Sequence, residues 1–135
     1  MFDRTNWYPV LGFDHMTFSE SLLPQFKRTC GSAFPGACDT DVARVIAAQA
    51  AKTTKPKFIY WLTLNTHVPV APGYADTNFN CANRNDRVVF QRADVCRMGE
   101  LWHDLFGAIA KLALDPALAP AEIMVVGDHA PPLWS

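Results

Sequence analysis

Two apolar, β-prone runs, each closing on a polar cluster that carries a histidine, constrain this chain more than any other feature. The first is Lys57-Phe-Ile-Tyr-Trp-Leu-Thr-Leu-Asn65-Thr66-His67-Val-Pro69, and the second is Glu122-Ile-Met-Val-Val-Gly-Asp128-His129-Ala-Pro-Pro. Short runs rich in aromatic or β-branched residues, bounded by Pro120, Gly127 and polar clusters, read as core strands. Sites in open α/β sheets assemble at the carboxyl ends of strands. Parallel pairing of the two runs therefore predicts His67, Asp128 and His129 at one pole of a sheet. An adjacent carboxylate and imidazole suit zinc or manganese better than they suit a pure oxygen cage. Taken singly, each cluster also fits a plainer reading. Gly127-Asp128 fits a turn beside a surface histidine, and His67 fits a histidine bonding its own loop backbone.

Helical patterns flank the runs. Asp39-Thr40-Asp41 precedes Val42 to Lys52, an alanine-rich stretch with its apolar positions on one face, which predicts an Asp-capped helix with Lys52 and Lys55 at its carboxyl end. Arg87 to Leu114 is the clearest helix: Val95, Trp102 and Ile109 recur at heptad spacing, as do Met98, Leu105 and Leu112. That stripe is core, and its Met and aromatic residues need no cofactor role. Residues 1 to 38 read as loops with short strands or turns, and His67 to Asn85 as a long surface loop. The order helix, strand, loop, helix, strand predicts one domain, a portion of a layered α/β/α sandwich with a mostly parallel sheet.

With 135 residues, half of them hydrophobic, the chain can bury a sizeable core. A net charge of −1 without a Lys/Arg cluster argues against nucleic acid as a partner. No stretch approaches the roughly 20 apolar residues of a membrane span, and Met1-Phe-Asp-Arg4 lacks the pattern of a signal peptide. Four cysteines permit three connectivities; pairing neighbours, Cys30 with Cys38 and Cys81 with Cys96, closes the shortest loops, and four buried thiols are the alternative. Their spacing matches no C-x₂-C zinc pattern. Two disulfides would imply an oxidising compartment, and without a signal peptide this suggests a piece of something larger.

Taken in order, these segments resemble the sulfatase-like branch of the alkaline phosphatase superfamily, in particular lipoteichoic acid synthases and other membrane-anchored phosphoglycerol or phosphoethanolamine transferases. Phe2-Asp3-Arg4, then Tyr8 and Leu11-Gly12-Phe13-Asp14, resembles the family's aromatic-x-Arg segment followed by a Leu-Gly-Tyr/Phe-Asp turn. Cys38-Asp39-Thr40-Asp41 resembles its Ser-Asp-x-Asp helix start, Phe58 to Pro69 its strand ending in Ser/Thr-His-x-Pro, and Val125 to His129 its Tyr-Gly-Asp-His metal motif. The resemblance implies that Asp128 and His129 ligate a divalent metal, manganese or zinc first, magnesium or calcium second. It implies that Arg4 binds a substrate phosphate or sulfate oxygen through its fork of donors, that Phe2 touches a lipid head group, and that His67 bonds the transferred group or moves its proton. Ala130 stands where the family often has glycine. The family's setting is extracytoplasmic, at the periplasm or the outer face of the cytoplasmic membrane.

One part of the pattern has no counterpart. The family's nucleophile, a threonine in transferases or a modified cysteine or serine in sulfatases, lies upstream with another acidic ligand, and neither Thr5 nor Thr66 has its context. The expectation is a carboxy-proximal fragment, inactive alone, whose partner is the amino-terminal half of the same enzyme. Whole, such an enzyme would act on phosphodiesters of lipid head groups or cell-envelope polymers through a covalent phospho-enzyme. A sulfatase is the alternative within enzymes, and a non-catalytic, disulfide-stapled binding module the alternative from another class.

Overall fold

The computed structural model describes residues 3–51, 55–81, 92–118 and 120–129. Their regular structure is helical. A single turn, α1 (Arg4–Trp7), runs into a 3-10 turn at Pro9–Leu11, and α2 (Ser19–Leu22) into another at Leu23–Gln25. Two longer helices, α3 (Asp39–Ala50) and α4 (Ala93–Ala113), pack against each other. The amino-terminal loops thus contain helical turns rather than short strands. Gly12, at φ 86°, closes the first of them and lets the Phe13 N–H reach the Tyr8 carbonyl at 3.3 Å.

Helix α3 begins at Asp39, earlier than the expected start at Val42, and its N-cap is Cys38, which makes no side-chain cap bond. The aspartates stay in the first turn, where the helix dipole favours them. Asp39 is the first helical residue rather than the cap, and its carboxylate is engaged by another segment. Asp41 is buried between the guanidinium groups of Arg28, at 3.8 Å, and Arg44. The expected helical stretch from Arg87 to Gln91 lies outside the described residues. From Ala93 onward α4 has the predicted periodicity, yet its buried line is narrower than the predicted stripe. Met98, Leu101 and Leu105 are buried, whereas Trp102 is 43% exposed and Ile109 half-buried. Val70 completes the small core with Met98 and Leu101, and Val68, Tyr74 and Ala75 pack around it. Burying each such large side chain contributes roughly 2 kcal/mol.

The parallel-sheet α/β sandwich is not formed among the described residues. Among the described residues the only β pairing is an isolated antiparallel bridge between Cys30 and Gly36. The runs at 57–64 and 122–126, expected as parallel neighbours, do not form strands. Apolar β-branched residues favour a strand, but a sheet also requires a neighbouring backbone to take up its N–H and C=O groups. No described element offers that edge, so Phe58 stays 79% exposed, Met124 87% and Val126 76%.

Both disulfides join neighbours, as the spacing predicted. Cys30–Cys38 has its Cα atoms 4.8 Å apart and Cys81–Cys96 5.7 Å. The latter staples the end of the segment at residues 77–81 onto α4.

Candidate functional site

The turn that carries His67 is held from beneath by a reciprocal clasp. The buried Asp39 carboxylate accepts the backbone N–H groups of Leu64 at 3.4 Å and Asn65 at 3.0 Å. Asn65, also buried, returns the favour: its amide oxygen accepts the Asp39 N–H, and its Nδ2 donates to the Ala37 carbonyl at 3.4 Å. The first turn of α3 and the end of the apolar run are thereby joined through side chains, without a β ladder. Burial pushes the Asp39 carboxyl up to about 6, against the two N–H donors, which favour its charged form.

Beyond the clasp the chain turns, with the His67 N–H donating to the Leu64 carbonyl at 3.2 Å. The His67 ring is exposed, and its Nδ1 lies 2.7 Å from the Val68 carbonyl oxygen. A carbonyl can only accept, so Nδ1 carries the proton in that bond and the neutral ring keeps its lone pair on Nε2. The ring edge meets Phe34, centroid to centroid 4.7 Å at 78°. Phe34 belongs to the loop closed by the Cys30–Cys38 disulfide and by the Cys30–Gly36 bridge. That loop is tight: a Cβ on Gly31, at φ +88°, would sit 2.6 Å from the Phe34 carbonyl oxygen, and one on Gly36 would sit 2.5 Å from the Ser19 hydroxyl.

Arg4 opens α1 and is half-buried, while Phe2 lies outside the described residues. The α1 segment is tied to the apolar run by aromatic rings: Tyr8 lies 6.0 Å from Tyr60, and Phe13 lies 6.0 Å from Phe58 and 6.1 Å from Tyr60. Asp128 and His129 sit on an exposed segment, side by side, with His129 Nε2 3.4 Å from Asp128 Oδ2. The common pole expected for them and His67 rested on paired strands that are not formed. Among the described residues the one grouping of three potential ligand side chains is Cys81, Cys96 and Glu100, and both of its sulfurs are spent in the disulfide. By donor chemistry an exposed carboxylate beside an imidazole suits manganese or zinc, and a metal held there would draw two protein ligands from Asp128 and His129 where zinc commonly takes four.

Sequence reasoning missed the buried acids Asp39 and Glu100 and the half-buried Asp104. Besides Asp39, Glu100 accepts the Phe79 N–H at 2.8 Å, and Asp104 accepts the N–H groups of Asp76 and Thr77 together with the Thr77 hydroxyl. The signal was available in α4: Glu100 and Asp104 fall one turn apart beside the buried line of Met98, Leu101 and Leu105, where an acid must find donors. Arg28 adds a bidentate grip on Asp76 at 2.6 and 3.0 Å, which raises the guanidinium pKa and lowers that of the carboxyl through the bond they share.

Both disulfides are consistent with an extracellular or otherwise oxidising environment. No described helix is long and apolar enough to cross a membrane. No family model, no curated protein and no solved structure matches this chain.

Proposed function

We propose that these residues belong to a metal-dependent, sulfatase-like phosphotransferase or hydrolase that acts on phosphodiesters of lipid head groups or cell-envelope polymers, outside the cytoplasm. The observation that carries this reading is the joining of three of the four ordered motifs. The aromatic cluster ties the segment of Arg4 to the apolar run, and the Asp39–Asn65 clasp ties the helix start to the turn of His67.

In this reading Arg4 takes two oxygens of the phosphoryl group through its planar fork. His67, with Nδ1–H spent on Val68, works through Nε2: it accepts the proton of an attacking or acceptor hydroxyl and in its protonated form donates to a non-bridging oxygen. Asp128 and His129 would hold manganese or zinc, with magnesium or calcium as hard alternatives. When bound, the metal supplies Lewis acidity toward the phosphoryl oxygens. Two exposed donors leave about half of a four-ligand shell to water, so metal binding by residues 1–135 themselves is weak.

The test is turnover of bis(4-nitrophenyl) phosphate and 4-nitrophenyl sulfate, with manganese or zinc, by the complete gene product that carries these residues. The phosphodiester is expected to be preferred. His67→Ala is expected to lower its turnover about 100-fold, and Asp128→Asn to abolish the metal dependence. Preference for the sulfate ester would make the protein a sulfatase. No turnover of either ester, with metal binding indifferent to Asp128→Asn, would replace the enzyme with a disulfide-stapled binding module.

A further inference from the structure

We infer that Asp39 and Asn65 are positioning residues for His67, and that Phe34, presented by the Cys30–Cys38 loop, is the wall against which the His67 ring is set. The activity arm rests on the reading of His67 proposed above; the geometric arm does not. Four hydrogen bonds converge on two side chains, three joining Asp39 at the start of α3 to residues 64–65 and the fourth joining Asn65 to Ala37 just ahead of that helix. Two buried polar side chains spent on a single turn exceed what packing requires, since an apolar contact could hold the same run without the cost of burying a carboxylate. The clasp supplies direction. It fixes the backbone of Leu64 and Asn65, the Leu64 carbonyl receives the His67 N–H, and the Val68 carbonyl orients the ring through Nδ1. The edge of Phe34 then removes the remaining freedom of the ring on one side. Nε2 is left as the nitrogen available for proton transfer. The Cys30–Cys38 bridge takes part at both ends of this device, because Cys38 immediately precedes Asp39 and the loop it closes carries Phe34. Neither Asp39 nor Asn65 touches a reacting atom in this account.

The geometric arm is NMR on the folded protein. Wild type is expected to show a ring-to-ring NOE between Phe34 and His67, and protection of the Leu64 and Asn65 amides from exchange by about 100-fold or more. Asn65→Ala and Asp39→Asn should each reduce that NOE by more than about half while the methyl resonances of Met98, Leu101 and Leu105 hold their positions. Unprotected amides in wild type, or an NOE that both variants leave intact, would overturn the inference. If Asp39→Asn loses the α4 methyl pattern, Asn65→Ala and the wild-type exchange rates decide. The activity arm uses the complete gene product. Asn65→Ala is expected to lower kcat about tenfold with KM within about twofold, and to add less than about twofold in a His67→Ala background. Equal losses in both backgrounds would make the clasp merely structural. Absence of turnover in wild type would overturn the enzyme reading and leave the NMR result standing by itself.

Discussion

The run ending at His67 and the run ending at His129 have the same design in sequence and opposite fates in the structure. Along the first, burial deepens toward the carboxyl end: Phe58 and Tyr60 are exposed, Trp61, Thr63 and Leu64 half-buried, and Asn65 buried. Along the second, every residue from Pro120 to His129 is exposed. Hydrophobicity does not separate them. What separates them is a set of anchors: the first run receives the Asp39 carboxylate at one end and the rings of Tyr8 and Phe13 toward the other. In this protein an apolar run becomes buried at the end where a polar partner from another segment meets it.

The strongest attempt to break the comparison removes the anchor. Asp39→Ala strands two backbone N–H donors and is expected to cost about 3 kcal/mol in urea unfolding, whereas Asp128→Ala, on the exposed run, should stay within about 0.5 kcal/mol. Equal effects would show that the two regions do not differ in the way described. Next in size is the staple of α4. Cys81→Ser with Cys96→Ser opens a loop of sequence separation 15 and is expected to lower stability by about 3 kcal/mol, read as a drop in the denaturant midpoint.

The pH dependence of stability sharpens the role of the clasp. The Asp39 carboxyl is raised in the folded protein, to about 6, above its ordinary 3.8, so between those values the folded state holds a proton that the unfolded chain has released. Stability is therefore expected to rise as pH falls from 7 to about 4, by no more than roughly 2–3 kcal/mol, and Asp39→Asn should flatten that slope. Asp76 acts in the opposite sense. Its carboxyl is depressed by the Arg28 guanidinium, so its contribution is present above the ordinary carboxylate range and is lost in stronger acid; being 62% exposed, it contributes little. Chemical denaturation at stepped pH measures both. The smallest expected effect lies on the second run: Val125→Ser should change stability by less than about 0.5 kcal/mol, while Leu101→Ala in α4 costs about 2–5 kcal/mol.

The sequence by itself determined the local features of this protein. Cysteine spacing predicted both disulfides, because short loops are the cheapest to close. Helical periodicity located α3 and α4, and an acidic first turn marked the neighbourhood of the start of α3, though with Val42 rather than Asp39 as its first residue. The histidine and the Asp128–His129 pair were visible as candidates from residue type and neighbourhood. The tertiary structure alone decided whether the two apolar runs would pair, because a strand is completed by the hydrogen-bonding edge of another segment and no periodicity within the run records whether that edge exists. It also decided that Asp39 would serve Leu64 and Asn65 rather than cap its own helix, that of the predicted stripe Met98 and Leu105 would be buried while Trp102 would not, and that Leu101, outside that stripe, would join the core. Each of these outcomes depends on partners distant in sequence, whose arrival a local pattern cannot encode.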